Sequence, residues 1–539
     1  MIRIQTLICL ALTTRLAMAV EPIPAVSPDR VKADTAHLAS DKLEGRAPGS
    51  RGEELTVEFL SNEMKKAGLK PAGNQGTFFQ EVPLIKVETS SATLSFTVRG
   101  EKKNFTLGDD YSGINQTQKE RETFESEALF VGHGITAPEF GWDDYGTTDV
   151  RGKVVVLFTN EPPSDDPQWF GGKALTYYGR WTYKFEEAAR RGAKACLIVH
   201  TAETAGYPYS VVRVNDGFQL KLSGREPALA FAGWMSQKAA EAFFAAKGMS
   251  VKEALTAADT KGFKPIPLGG TIQGNITNKM SNIASRNVAG MVEGSDPKLK
   301  DEVILFTAHW DHLGIGKGIV GDAIYNGAAD NGTGTALLLE LARSWSRMPV
   351  KPKRSALFLS VTAEEKGLLG SKFYAANPLV PLNKTALNLN FDMILPLGIP
   401  KTVVVNGSER TTITEIVRSA AQRAELDIEP DPRSHLGIFY RSDHFSMARA
   451  GVPAFSIAAG SKLKGKPDDY TKSKFVEFND KRYHQPSDEM MADWDFSGFA
   501  ILGAFALDIG QSVANADQLP TWRPGDEFRK AREASGVKD

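Results

Sequence analysis

The residues with the clearest chemical potential are two histidines and three carboxylates, placed in order over the second half of the chain. They are His309, Asp330, Glu365, Asp392 and His484. Two imidazoles and three carboxylates suit a borderline divalent metal such as zinc. Glu364 is a spare carboxylate beside Glu365, which suits it to be a general base. The ordered series therefore predicts a hydrolase that uses two metal ions.

Each of these residues also has an ordinary structural explanation when it is taken alone. A histidine after a strand is usually a satisfied core residue, and a Glu-Glu pair is usually exposed. Asp330 lies in a Gly-rich loop and could cap the helix that follows, but Thr333 or Thr335 could do so instead. That leaves Asp330 free to bridge two metal ions, and the combination of residues favours the metal site.

The elements that must position these residues begin near residue 287, where short apolar runs alternate with helical patterns. Buried strands are predicted at 303–307 before His309, 356–361 before Glu364 and Glu365, and 387–391 before Asp392. Because the carboxyl ends of parallel strands meet at one edge of a sheet, these side chains should converge there. The predicted fold class is α/β, with a mixed, mostly parallel sheet flanked by helices.

Asp311 lies two residues after His309 and can accept a hydrogen bond from the ring nitrogen that faces away from the metal. Such a bond fixes the tautomer of a metal-binding histidine and raises its basicity. We therefore predict that Asp311 orients His309.

Residues from about 280 to 510 resemble metallopeptidase family 28, the zinc aminopeptidases related to glutamate carboxypeptidase and glutaminyl cyclase. The resemblance implies the zinc exopeptidase fold and two zinc ions. It assigns one ion to His309, Asp330 and Asp392, and the other to Asp330, Glu365 and His484. It also makes Glu364 the general base and Asp311 the orienter of His309.

The same resemblance implies three further features of the site. A tyrosine should assist at the oxyanion, and Tyr483 and Tyr440 are both candidates. The peptide between Asp330 and Asn331 should be cis. Ser442-Asp443-His444 resembles a motif that surrounds the metal ligands, which makes His444 a candidate for lining the site.

The composition changes near Phe124, where short β-like runs are separated by Gly, Pro and Asp. We predict a β-rich insert at 120–268, between an N-terminal part of the peptidase domain at 20–119 and the catalytic part at 269–539. The segments 141–145 and 150–155 of the insert resemble a protease-associated domain. Its His133, His200 and Cys196 are predicted to be structural.

The first 19 residues have the pattern of a secretory signal peptide. Arg3 is followed by the largely apolar run 4–14 and by Ala17-Met18-Ala19, a small-residue cleavage site. An uncleaved anchor is the alternative, but the run is short for a span and Arg15 interrupts it. We expect a secreted or periplasmic protein without an intrachain disulfide, because only Cys196 would remain after cleavage. The apolar segment 496–513 contains Asp508 and is predicted to be a core helix.

The charge composition argues against a nucleic-acid partner but does not identify the substrate. With 64 Lys and Arg against 65 Asp and Glu, no basic footprint for nucleic acid is present. The segment 460–482 carries seven basic and four acidic residues, which could favour acidic substrates but also suits a solvated loop.

The leading functional hypothesis is a di-zinc exopeptidase that hydrolyses N-terminal residues from peptides by metal-activated water. Alternatives are a glutaminyl cyclase-like acyltransferase with one zinc, a carboxypeptidase or dipeptidase of the same fold, and a non-catalytic binding protein. The long insert favours a peptidase, and an intact Glu364 with a full ligand set argues against a binding scaffold. The oligomeric state is left open by the sequence.

Overall fold

The computed structural model describes residues 23–205 and 207–537. The predicted signal sequence therefore lies outside the described residues. Within them the helices are α1 (Pro28–Leu38), α2 (Arg51–Lys66), α3 (Trp181–Arg190), α4 (Ala202–Ala205), α5 (Gln237–Ala245), α6 (Val251–Ala258), α7 (Gly334–Ser346), α8 (Leu369–Ala376), α9 (Thr414–Arg423), α10 (His444–Arg449), α11 (Tyr470–Lys481), α12 (Gly498–Asn515) and α13 (Arg529–Ala534).

Most strands in the described residues belong to one large mixed sheet. The strands of the described residues are β1 (Lys70–Pro71), β2 (Phe79–Val98), β3 (Glu101–Phe105), β4 (Tyr111–Ile114), β5 (Arg121–Phe130), β6 (Thr136–Ala137), β7 (Trp142–Asp143), β8 (Val154–Phe158), β9 (Ala195–His200), β10 (Asp216–Leu220), β11 (Phe231–Ser236), β12 (Ile266–Val292), β13 (Val303–His309), β14 (Gly314–Ile315), β15 (Ile324–Tyr325), β16 (Ser355–Val361), β17 (Thr385–Asn390), β18 (Thr402–Asn406), β19 (Asp427–Glu429) and β20 (Ala454–Ala459). The short strands β6 with β7 and β14 with β15 form separate pairs.

The half of the sheet that carries the predicted ligands has the strand order β19-β18-β20-β17-β13-β16-β12. The four strands β20, β17, β13 and β16 run parallel to one another, while β18 and β12 are antiparallel to their neighbours within this group. The predicted mixed, mostly parallel α/β sheet is thus confirmed. Because β13, β16 and β17 are parallel, their carboxyl ends lie at one edge, as the site requires.

Helices cover both faces of this half-sheet because successive side chains of its strands point to opposite sides. Ile304 and Phe306 face the core with α1, α2, α7 and α12, whereas Val303 and Leu305 face α8 and α10. All seven residues of β13 are buried, which explains the continuous apolar run in the sequence.

The predicted core helix at 496–513 is confirmed as α12. Leu502, Phe505 and Leu507 are buried in the main hydrophobic cluster, and Asp508 forms an ion pair with Arg423 at 2.7 Å. Among the described residues, no helix is long and apolar enough to cross a membrane.

The same sheet continues beyond β12 in the order β5-β8-β9-β11-β4, of which all but β4 lie within the predicted insert. Strands β5, β8, β9 and β11 are parallel, and α3, α5 and α6 pack against them. The insert therefore contains helices as well as strands. Its hydrophobic core extends from Leu94 to Ile276 along the chain, beyond the predicted 120–268, and the domain boundaries stay a prediction.

Strand β2 is continuous over Phe79–Val98 and pairs along its length with β12. One local expectation from the sequence differs from the structure. The segment 460–482, predicted as a loop, contains helix α11. Helix α11 buries only Phe478, so its sequence lacks the apolar stripe that would have predicted it.

Candidate metal centre

His309 is the last residue of β13, at the edge where the parallel strands end. Its Nε2 atom lies 3.2 Å from Oδ1 of Asp392 and 3.4 Å from Oδ1 of Asp330. Its Nδ1 atom lies 3.2 Å from the main-chain oxygen of Asp311. A proton on Nδ1 would be held by that carbonyl, which leaves Nε2 free as a metal donor.

The predicted orienter, Asp311, thus contacts His309 mainly through its main chain. The Asp311 carboxylate is fully buried, and its Oδ1 atom is 3.8 Å from Nδ1 of His309. The same oxygen accepts a hydrogen bond of 2.9 Å from the main-chain N–H of Glu364. Asp311 therefore ties the strand end that carries His309 to the turn that carries the two glutamates.

Asp330 lies between the two candidate histidines. One carboxylate oxygen faces His309, and the other lies 3.2 Å from Nε2 of His484. The backbone on either side is fixed by Asp488, whose carboxylate accepts hydrogen bonds from the N–H groups of Ala329 and Asp330 at 3.0 and 3.1 Å. The peptide between Asp330 and Asn331 is cis, as the resemblance implied.

The start of α7 is organised by Asn331 and not by the expected threonines. Neither Thr333 nor Thr335 caps the helix; the Asn331 Oδ1 atom accepts a hydrogen bond of 3.0 Å from the N–H of Gly334. The Thr335 hydroxyl donates instead to the main-chain oxygen of His309 at 2.6 Å. The Thr333 hydroxyl donates to the main-chain oxygen of Ala329 at 3.0 Å, so both threonines that could have capped the helix bind elsewhere.

Glu365 is the fourth residue after β16, and its carboxylate faces two imidazole rings. Its Oε2 atom lies 3.0 Å from Nε2 of His484, and its Oε1 atom lies 2.6 Å from Nδ1 of His312. Burial raises the pKa of Glu365, but the hydrogen bonds from His312 and His484 outweigh it and lower the value to about 2. The carboxylate is therefore held in its charged form.

His312 was not singled out from the sequence, although it lies within the same segment as His309. Its ring is completely buried, with the centroid 5.8 Å from that of His484, and its Nε2 atom has no hydrogen-bond partner among the described residues. Asp488 was missed as well. His312 is the third residue after the buried strand β13, as Glu364 is after β16, so its position offered a signal that was not used; Asp488 follows no strand and gave none.

Glu364 lies beside the ligand set, with Oε2 3.9 Å from Nε2 of His309. Burial raises the pKa of its carboxyl well above the usual value, His309 opposes the rise, and the nearby charges of Asp392 and Glu365 add to it. A carboxyl group in such a place holds a proton more readily than a solvated one, which suits proton transfer near neutral pH.

The five predicted ligands thus converge, and their geometry fits metal binding better than direct hydrogen bonding. Two donors of one tetrahedral zinc, with bonds of about 2.0–2.1 Å, lie about 3.3 Å apart. The four histidine–carboxylate distances, for His309 to Asp330 and Asp392 and for His484 to Asp330 and Glu365, are 3.4, 3.2, 3.2 and 3.0 Å. Each Nε2 atom faces two carboxylates at once, whereas a single N–H can align with only one. The donor set therefore fits zinc.

The two candidate tyrosines have different surroundings. The Tyr440 hydroxyl donates a hydrogen bond of 2.7 Å to Glu527, which is also paired with Arg410. The Tyr483 ring stacks on His484 with centroids 3.9 Å apart. Burial raises the pKa of Tyr483, and the nearby carboxylates of Asp330 and Glu365 raise it further. Only Tyr483 lies against a candidate ligand.

The other histidines lie outside the ligand set. His444 is buried, packs edge-on against Phe439, and has a pKa lowered to about 3 by burial and then by the charge of Arg410. Its neighbour Ser442 reaches the site instead, since its hydroxyl donates to Oδ2 of Asp392 at 2.6 Å. His133 pairs with Asp259 within the insert. His200 and Cys196 are also buried there, in β9.

Comparisons with known proteins agree with this fold. Residues 287–503 match the model of peptidase family M28. Leupeptin-inactivating enzyme 1 of Streptomyces exfoliatus is 31% identical over 33% of this chain and 35% of its own length. Aminopeptidase YwaD of Bacillus subtilis is 26% identical over 48% of this chain and 44% of its own length. The chain thus aligns with less than half of these two relatives.

A solved aminopeptidase from Aneurinibacillus sp. strain AM-1 superimposes with a TM-score of 0.51 over 93% of this chain and 97% of that one, at 18% identity. This likeness concerns the fold. The segment 287–503, which matches peptidase family M28, holds all five predicted ligands and Glu364.

Proposed function

We propose that the protein is a di-zinc aminopeptidase that hydrolyses N-terminal residues from peptides. The observation that carries the proposal is the position of Asp330, whose two oxygens face His309 and His484 on opposite sides. His309, Asp330 and Asp392 would hold one zinc ion, and Asp330, Glu365 and His484 the other. The names of the relatives, which include several aminopeptidases, support the choice of substrate class.

The two zinc ions, when bound, would lower the pKa of water and polarise the scissile carbonyl. Glu364 would take the proton of the attacking water and pass it to the leaving amine, because its carboxyl is buried beside the ligands and bonded to none of them. Asp311 accepts the Glu364 N–H and so fixes the turn on which the base sits. The Tyr483 hydroxyl is free to donate to the oxyanion, whereas the Tyr440 hydroxyl is engaged by Glu527.

Two substitutions distinguish the proposed general base, Glu364, from the adjacent proposed ligand, Glu365. Glu364→Gln should keep zinc and lose about 10²–10⁴-fold in kcat, the usual contribution of acid–base catalysis. Glu365→Gln should lose zinc instead, since Glu365 contacts His484 within the ligand set. Zinc content by elemental analysis and hydrolysis of aminoacyl anilides, N-blocked dipeptides and an N-terminal Gln peptide provide the measurements.

The outcome of this panel also decides between reaction classes. A protein that binds one zinc at saturation and cyclises N-terminal Gln without hydrolysing peptides would be an acyltransferase. Cleavage of N-blocked dipeptides alone would make it a carboxypeptidase or dipeptidase. Near-normal kcat in Glu364→Gln would end the proposed mechanism.

We also propose that the protein is exported to the periplasm or the cell exterior. The support is the sequence pattern of Arg3, the apolar run 4–14 and the cleavage-type residues Ala17-Met18-Ala19. N-terminal sequencing of the mature protein should begin at Val20. Recovery of the uncleaved chain in the membrane fraction would instead indicate an anchor.

A further inference from the structure

Four buried polar side chains form one hydrogen-bonded series that ends on the candidate ligand Asp392. They are Asn388, Thr307, Asn390 and Ser442, and we call them the polar row. Nδ2 of Asn388 lies 2.9 Å from the Thr307 hydroxyl, which lies 2.7 Å from Oδ1 of Asn390. Nδ2 of Asn390 lies 2.7 Å from the Ser442 hydroxyl, which lies 2.6 Å from Oδ2 of Asp392. The polar row thus connects the interior of the sheet to the metal centre.

The parallel strands β13 and β17 place most of the polar row on one face of the sheet. Thr307 lies opposite Asn390 in the strand register, and Asn388 is two residues before Asn390, so the three side chains share a face. Leu305, two residues before Thr307, lies on the same face and packs in a hydrophobic cluster. Apolar side chains therefore fit this face, and the polar residues that replace them here need an explanation.

The carboxylate of Asp392 fixes the direction of every hydrogen bond in the polar row. An ionised carboxylate, the form that binds metal, only accepts hydrogen bonds. The Ser442 hydroxyl must therefore donate to Asp392, and it is left to accept from Nδ2 of Asn390. Oδ1 of Asn390 accepts from the Thr307 hydroxyl, which accepts in turn from Nδ2 of Asn388. All four members thus donate toward one carboxylate.

The polar row has an energetic cost that apolar side chains would avoid. Thr307, Asn388 and Asn390 are at most 1% exposed, and Oδ1 of Asn388 is buried without a partner among the described residues. Burial of polar groups opposes folding unless their hydrogen bonds are made. Hydrogen bonds that follow one another in the same direction polarise each other, so the last one, to Asp392, is strengthened by those behind it. The benefit of the polar row therefore falls on Asp392.

We propose that the polar row positions Asp392 as a ligand of one zinc ion. Ser442 holds Oδ2 of Asp392, while Oδ1 of the same carboxylate faces Nε2 of His309 at 3.2 Å. Rotation of the carboxylate would break the bond from Ser442, so the polar row determines which oxygen is turned toward the ion. The other three members act through Ser442 and are positioning residues. The inference rests on the proposed di-zinc function and adds the residues that set the affinity for one of its two ions.

Zinc affinity measures this role without depending on turnover. Ser442→Ala should raise one of the two zinc dissociation constants about 10–100-fold, as the loss of a hydrogen-bond partner of a metal ligand does. Thr307→Val keeps the shape of the side chain but removes the hydroxyl that donates to Asn390, and it should raise the same constant by a smaller factor. Thr307→Ser keeps the hydroxyl and should stay near the wild type. Competition with a chromogenic chelator gives both constants.

A double variant distinguishes positioning from a general loss of packing. Ser442→Ala already disconnects the polar row from Asp392, so the addition of Thr307→Val should raise the dissociation constant no further. The matched control is Ser360→Ala on β16, because the Ser360 hydroxyl is buried without a hydrogen-bond partner in the part of the chain that the structure describes. Ser360→Ala should bind zinc with wild-type affinity. Thermal melting of every variant identifies any that is unfolded.

The failure of this inference differs from the failure of the proposed function. Wild-type zinc affinity in folded Ser442→Ala or Thr307→Val, or an equal loss in Ser360→Ala, would overturn the positioning role and leave the peptidase in place. Additive effects in the double variant would also overturn it, because they would show two separate defects. A wild-type protein that binds no zinc and hydrolyses no peptide would overturn the proposed function itself.

Discussion

His312 is completely buried, and its Nδ1 atom lies 2.6 Å from Oε1 of Glu365. Residues that hold a metal-binding carboxylate in place typically contribute 10–100-fold to metal affinity. We therefore expect His312→Ala to weaken zinc binding about 10–100-fold. Competition with a chromogenic chelator measures this change directly.

The control for this prediction is His435→Ala, because His435 is exposed and lies in the segment before α10. It should bind zinc with wild-type affinity. Equal affinities for wild type and His312→Ala would mean that Glu365 needs no support from this imidazole.

At the scale of elements, Arg46 connects the segments that carry the site. Its guanidinium is buried and donates hydrogen bonds to the main-chain oxygens of Leu38, Trp310, Asn326 and Gly327. The end of α1, the residue after His309 and the loop before Asp330 therefore share one partner. These elements are far apart in sequence, and the guanidinium fixes their separation.

We expect Arg46→Met to lower the free energy of unfolding by about 3–5 kcal/mol, because buried carbonyl groups would lose their partner without access to water. Chemical denaturation measures the loss. Arg51→Met is the matched control: Arg51 forms an exposed ion pair with Glu44, which is worth about 1 kcal/mol or less. Similar losses in both variants would contradict the role assigned to Arg46.

The sequence predicted the elements near the site because β13 and β16 are mainly apolar runs and β17 is a short run with Ala386, Leu387 and Leu389, each followed closely by polar residues. It did not predict His312 or Arg46, since their partners are side chains and carbonyls that come close only in the folded chain. Helix α11 was missed because it is mostly solvated. Periodicity identifies buried faces, and these three features depend on contacts or exposure instead.

At the scale of the whole molecule, the candidate metal centre gathers three carboxylates and two histidines from widely separated elements. Repulsion among the carboxylates without metal opposes folding, and a bound ion stabilises only the folded chain. We expect zinc at about 100 times its dissociation constant to add about 2.7 kcal/mol per bound ion to the free energy of unfolding, and chelation to remove it. Thermal melting with and without chelator measures the effect. Asp330→Asn should abolish the response, and a response that persists would place the ion elsewhere.

The long strand β12 has a consequence for synthesis of the chain on the ribosome. Over most of its length β2 pairs with β12, and β12 also pairs with β5 and β16. At about 5–20 residues per second, the start of β12 is made roughly 10–30 s after the end of β2. During that interval the partners of β2 among the described residues are its hairpin partner β3 and, once residue 220 is made, the short β10, so its other edge is open to pairing with foreign strands. The nascent chain should therefore depend on protection of residues 79–98 until residue 292 has emerged.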